Sequence, residues 1–200
     1  MLRAIANTPA LDFDSTLFQT LIIVSFHGLL RLGDLCHPSV ASSKNPAKRA
    51  RRSSVRFVGN DHFSFRLPAH KADPFFEGNL VLIRRLWHDL DVVAIFKHYL
   101  RLRDALHPFA SPLWLTSSGS VPDHNFFLSH LNRFNLGPSI RGQSMRAGGA
   151  TALAELGASP DAIQALGRWS SNAWKIYIRK HPVLIHRLQP QVPHVPLHRP

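Results

Sequence analysis

The run from Leu17 to Leu32 restricts the fold more than any other part of the chain. Only Gln19, His27 and Arg31 break its apolar character strongly. It is too short for a membrane span, which takes about 20 apolar residues. Apolar side chains cover most of the helix circumference over LFQTLIIVSFHGLL. A helix of that kind must be wrapped by the rest of the chain, so it is expected at the centre of the domain. Asp14 or Ser15 can cap its start, and Gly33 lies just beyond a plausible end, with Arg31 beside the turn. A short second helix is expected near Asp34, stopping before Pro38.

The remaining elements must cover that central helix. Val55 and Phe57, then Phe63, Phe65 and Leu67, alternate with polar residues around Gly59-Asn60-Asp61. That is a hairpin pattern. Leu80 to Ile83 supplies a third strand after the loop HKADPFFEGN, completing a small antiparallel sheet. The period then becomes helical. Val92, Ile95, Phe96, Tyr99 and Leu100 share one face over Asp91 to Leu106. Trp114-Leu115 precedes a turn at Ser117-Ser118-Gly119. Further helices are expected over Pro122 to Phe134 and over Ser144 to Leu156, the latter closed by Gly157. Another opens at Ser159-Pro160 and ends at Gly167. The last, capped by Ser170 or Ser171, runs through Tyr177. The fold class is α+β, mostly α-helical, with a three-stranded antiparallel sheet towards the N-terminal side. Residues 1–182 are expected to form one domain, and 183–200 a Pro-rich mobile tail that lies outside the residues described below.

The 200 residues can bury a core of ordinary size. Lys and Arg number 24 against 12 Asp and Glu, a net charge of +12. That excess calls for a polyanion, either nucleic acid or an anionic membrane surface. The single cysteine, Cys36, excludes a disulfide framework. Thirteen histidines show no metal-ligand spacing. The N-terminal stretch is not apolar enough for a signal peptide, so the chain is expected not to be secreted. With no membrane segment, nucleic acid becomes the favoured polyanion. The loop 42–54, SSKNPAKRARRSS, is small, polar and basic. Lys44, Lys48, Arg49, Arg51 and Arg52, with Arg56 just beyond, are candidates for contact with the phosphates of a nucleic acid such as DNA, or for a nuclear-targeting stretch; the same loop could instead be merely solvated. A vesicle-binding protein using that stretch is the reading from another class.

Two strings carry more specific information: Leu30-Arg31-Leu32-Gly33-Asp34-Leu35, and QSMRAGGATALAELGASPDAIQALGRWSSNAWKIYIR from Gln143 to Arg179. The second resembles the C-terminal half of a tyrosine recombinase (phage-integrase family) catalytic domain. GRWSSNAWKIYIR is most similar to the recombinases of eukaryotic mobile elements such as Cryptons. The resemblance covers roughly residues 14 to 182. It implies the DNA breaking-rejoining catalytic-core fold and a site of two arginines, a lysine, histidines or a tryptophan, and a nucleophilic tyrosine. Carried onto this chain, the first arginine is Arg31, supported by Asp34. The lysine is Lys71, the second arginine Arg146, the His-or-Trp position Trp169, and the nucleophile Tyr177. The family's histidine three residues before the second arginine is Gln143 here. Glutamine can donate a hydrogen bond to a phosphate oxygen but cannot exchange a proton near neutral pH.

The chemistry that the resemblance implies needs these residue types. Guanidinium groups clamp the non-bridging phosphate oxygens through paired, charge-assisted hydrogen bonds. The tyrosine hydroxyl attacks phosphorus. A lysine protonates the departing 5′ oxygen. No metal or nucleotide cofactor is implied. Duplex DNA is the implied partner, bound by a homo-tetramer in recombination. Localisation would be nuclear in a eukaryote and cytoplasmic otherwise. Family members also carry an N-terminal helical domain that completes a clamp on DNA. Only thirty residues precede Arg31, so half of that clamp is expected to be missing from this chain. A catalytically inactive DNA-binding remnant is the alternative that Gln143 raises.

Overall fold

A computed structural model describes residues 2–40, 45, 49–68, 78–86, 90–136 and 140–179. The central helix, α2 (Phe13–His27), follows a short α1 (Leu2–Asn7). Its burial matches its composition: Leu17, Leu21, Ile22, Ile23 and Val24 are fully enclosed. The hydroxyls on this buried helix turn onto its own backbone, Thr20 Oγ1 donating to Thr16 O (2.8 Å) and Ser25 Oγ to Ile22 O (2.8 Å). The start differs from the expected one. Asp12 is the cap, its carboxylate accepting from Ser15 N at 2.6 Å. Asp14 instead accepts from Ser117 N (2.7 Å) and Ser117 Oγ (2.9 Å), tying α2 to the turn around Gly119. No pattern in the sequence announces α1. Gln19 holds it in place, donating from Nε2 to Ile5 O (3.0 Å) and Thr8 O (2.5 Å).

The far end of α2 also differs. The helix stops at His27 rather than near Gly33. Leu30 N–H donates to Ser25 O (2.9 Å) and Leu29 N–H to Phe26 O (3.4 Å). This is a Schellman closure, whose penultimate residue must be left-handed. Leu29 occupies that position with φ +49. Glycine is the usual residue there, and a leucine in this conformation costs about 1–2 kcal/mol. Gly33 falls inside α3 (Leu32–Leu35).

Strands β1 (Arg56–Val58), β2 (His62–Leu67) and β3 (Asn79–Arg84) pair antiparallel in that order. Phe63 faces Phe57 on one side and Ile83 on the other, and Phe65 faces Val81. Phe63, Phe65, Val81 and Ile83 bury one face of the sheet. They meet α4 (Val92–Leu106), where Phe63 stacks on Phe96 at 4.1 Å between centroids. Trp114 closes this layer, edge-on to Phe65 and stacked with Tyr99. The buried Tyr99 hydroxyl is satisfied twice, donating to Leu113 O and accepting from Leu115 N, each at 3.0 Å.

Helices α5 (His124–Asn132) and α6 (Ser144–Glu155) pack against α2, and α7 (Pro160–Gly167) packs against α6. Asp123 and Ser159 cap α5 and α7, and Pro160 takes the first position of α7. A 3-10 turn at Asn172–Trp174 leads into α8 (Lys175–Arg179), so the final helix starts later than Ser170 or Ser171 suggested. The core has two parts. The larger surrounds α2, α4 and the sheet. The smaller gathers Leu29, Ala150, Leu153, Ile163, Trp169 and Trp174, with Tyr177 packed against it. Among the described residues, no helix is long and apolar enough to cross a membrane.

Candidate active site

Arg146 is the centre of the site. It lies on the first turn of α6, beside the end of α2, and is 5% exposed. Its Nη1 donates to Leu29 O (2.6 Å) and its Nη2 to Gly167 O (2.5 Å). The guanidinium lies over the Trp169 ring, 4.1 Å from its centroid. A buried guanidinium needs such partners because desolvating it is costly. These two bonds leave further N–H donors of the five on the group for an anion. Burial pushes Arg146 down to about 10, repulsion from Arg31 and Arg168 adds to this, and Asp34 and Tyr177 oppose it. At neutral pH it is still a cation.

Trp169 reaches Arg146 because Gly167 makes room. A Cβ on Gly167 would stand 1.6 Å from the Trp169 ring. Trp169 N–H donates to Gln164 O (3.1 Å), and Gln164 Nε2 donates to Trp169 O (3.2 Å). Trp174 Nε1 donates to Gln164 Oε1 (3.3 Å), so one glutamine ties both tryptophans to α7. The Tyr177 ring lies 6.2 Å from that of Trp169. Thr151 Oγ1 donates to Tyr177 O (3.3 Å), anchoring α8 on α6.

Arg31 is exposed at the start of α3. Its N–H donates to Asp34 Oδ2 (2.8 Å), and Asp34 N–H donates to Arg31 O (2.9 Å). This reciprocal cap fixes the backbone that carries Arg31. The electrostatic influence of Arg31 and Asp34 reaches both Arg146 and Arg168. Gln143 is exposed at the residue before α6, where its side chain makes no capping bond. The structure thus gathers Arg31, Asp34, Arg146, Trp169 and Tyr177 around the junction of α2, α3, α6 and α8. Lys71, Lys44 and Lys48 lie outside the described residues.

The described arginines of the basic segment have internal partners, Arg51 excepted. Arg49 is buried rather than solvated, donating from Nη1 to Gly33 O (3.0 Å) and Cys36 O (2.7 Å). It departs from the expected DNA contact because those carbonyls at the end of α3 need a donor. Arg52 forms a two-pronged pair with Asp104, its shortest contact 2.7 Å. Arg56 donates to Ser53 O and Val55 O, and Arg51 is exposed. Arg168 is a site residue that the motifs do not mark. Its side chain enters the site as a third guanidinium, donating from Nη2 to Gly28 O (3.0 Å) and Leu29 O (3.1 Å). Nothing in its position after Gly167 signals this, because both acceptors are main-chain atoms far away in sequence.

No protein-family model and no curated protein matches the chain. Among solved structures, it is similar to XerH site-specific recombinase bound to its difH substrate, with 14% identity and a TM-score of 0.66, over 93% of this chain and 49% of that one. It is similar to XerA recombinase, with 15% identity and a TM-score of 0.67, over 93% and 58%. It is also similar to the Tn1549 transposon integrase in complex with circular intermediate DNA, with 16% identity and a TM-score of 0.58, over 88% and 57%. The chain spans about half the length of these structures. The fold is that of a tyrosine recombinase catalytic domain.

Proposed function

We propose that this chain cleaves and rejoins DNA strands through a covalent phosphotyrosine. The observation that supports this most is the clustering of Arg146, stacked on Trp169, with Arg31 and Tyr177, in a fold shared with DNA recombinases. In this reading Tyr177 Oη attacks a DNA phosphorus and gives up its proton to solvent water. The P–O5′ bond breaks and the phosphate stays on the 3′ side as a phosphotyrosyl ester. The departing 5′ oxygen takes a proton from Lys71. A 5′ hydroxyl then reverses the step, which conserves the ester and requires no external energy source. Arg31 and Arg146 neutralise the extra charge on the non-bridging oxygens. Removing one such donor typically costs about 10²–10³-fold in rate. Gln143 donates a hydrogen bond to the same phosphate. Lys44, Lys48 and Arg51 of the basic segment meet the DNA backbone. Recombination by four protomers on DNA, and an origin in a mobile element, extend the same reading.

Exposed Gln143 favours one second reading, a remnant that binds DNA without cutting it. A single experiment separates the two. The full chain is incubated with a pool of nicked duplexes of randomised sequence, and covalent protein–DNA adducts are resolved under denaturing conditions. The expected result is an adduct with the unsubstituted chain and none with Tyr177→Phe, while duplex affinity stays within about twofold. An adduct that survives the substitution overturns the choice of nucleophile. Duplex binding without any adduct, with log K falling by about 0.9 per phosphate neutralised against log salt, supports the remnant instead.

A further inference from the structure

Three main-chain features meet at one point beside Arg31. Leu29 is held left-handed at φ +49. Its carbonyl oxygen accepts from two different guanidinium groups, Arg146 Nη1 at 2.6 Å and Arg168 Nη2 at 3.1 Å. The Arg168 backbone is itself left-handed, at φ +56. Arg168 Nη1 also donates to Leu166 O (2.9 Å), and its Nη2 to Gly28 O (3.0 Å). Arg146 completes the circuit by donating to Gly167 O (2.5 Å). Each arginine thereby bonds a carbonyl at the end of α2 and a carbonyl at the end of α7. The turn they grip leads within two residues to Arg31.

We propose that Arg168 is a positioning residue: with Arg146 it clamps the strained Gly28–Leu29 turn and so fixes where Arg31 is presented. This rests on the phosphoryl-transfer reading for its rate measurement, but not for its structural one. The geometry explains why an arginine stands where a glycine would be less strained. Left-handed conformations cost non-glycine residues free energy and persist where surrounding contacts over-determine them. Two such residues, joined through the same carbonyl, are a costly arrangement unless the turn must be held in one place. A displacement of about 1 Å in a charge-stabilising group can cost 10²-fold in rate. Arg168 therefore acts through Arg31 and does not itself touch the phosphate.

Arg168→Gly is the informative variant, because glycine relieves the backbone strain while removing the guanidinium. If Arg168 serves only to end α7, this substitution leaves adduct formation unchanged or improves it. The clamp predicts the opposite: adduct formation slowed about 10²-fold, with a thermal midpoint close to that of the parent chain. Arg168→Lys, which keeps a cation in reach of the same carbonyls, recovers at least tenfold of that loss. Combining Arg168→Gly with Arg31→Ala adds less than about threefold to the loss from Arg31→Ala alone, since both act on one group. Additive losses would overturn the proposal. Amide hydrogen exchange gives a readout free of chemistry. Arg168→Gly should speed exchange at Leu30, Arg31 and Asp34 by at least tenfold and leave β2 unchanged. Should the parent chain form no adduct, the cleavage reading falls while exchange still decides the clamp. Unchanged exchange at these amides rejects it.

Discussion

Arg146→Ala is expected to lower global stability by about 3–5 kcal/mol and to bring adduct formation below detection. Two buried carbonyls, Leu29 O and Gly167 O, lose their Arg146 donors at once. A buried acceptor left unpaired costs about 1–3 kcal/mol. Arg168 still reaches Leu29 O, which moderates the first loss. The guanidinium also leaves the face of Trp169, a contact worth up to about 2 kcal/mol when desolvated. Arg146→Lys should fall between the two, because a single ammonium nitrogen does not span both carbonyls as a planar fork does. Urea unfolding followed by tryptophan fluorescence checks the stability, and the nicked-duplex assay checks the chemistry. A stability within about 0.5 kcal/mol of the parent for Arg146→Ala would show that its buried bonds do not stabilise the fold.

Gly149→Ala should be as damaging for a different reason. Gly149 sits on α6 where it crosses α2. A Cβ there would stand 2.2 Å from Phe26 O and 2.5 Å from Leu29 Cδ2. Phe26 O belongs to the helix backbone and cannot swing aside, so the two helices must separate. Overpacking costs about 1–3 kcal/mol where side chains can adjust and more where backbone blocks the way, about 4 kcal/mol at this contact. Alanine's helix propensity returns only about 1 kcal/mol. A net loss of about 3 kcal/mol is expected, with Arg31 displaced because Leu29 moves. The neighbour provides the control. A Cβ on Gly148 meets only the Phe26 ring, at 3.0 Å from Cε2. That ring edge must give by only a few tenths of an ångström, so Gly148→Ala should stay within about 1 kcal/mol of the parent. Equal midpoints for the two variants in thermal unfolding would contradict this account of the crossing.

The order of elements is legible in the sequence because it depends on local pattern. Phe63, Phe65, Val81 and Ile83 alternate as a half-buried sheet requires, and Ser159-Pro160 carries a start signal that needs no tertiary partner. Arg31, Arg146, Trp169 and Tyr177 are singled out only by the resemblance to the tyrosine recombinase pattern. Their meeting place depends on how α6 and α8 return to the end of α2. The features that sequence does not reveal have a common cause. Asp12 outcompetes Asp14 as the cap because Asp14 is drawn to Ser117, far along the chain. Arg49 and Arg168 resemble ordinary surface cations, yet each answers main-chain oxygens distant in sequence. No residue pattern announces that a carbonyl will be left without a donor. Leu29 likewise takes a conformation that sequence assigns to glycine, under tertiary constraint.

The division of the core into two parts has a consequence for how the protein fails. Arg31 hangs from α3, next to the larger core, whereas Trp169 and the packing of Tyr177 belong to the smaller one. Regions with fewer buried contacts open at lower free energy than the whole molecule unfolds. On gentle heating, the tyrosine and tryptophan would therefore leave the first arginine together, while sheet, α2 and α4 remain assembled. The site would come apart along that seam below the melting temperature, reversibly, and a phosphate bridging the two sides would act as the staple that delays it.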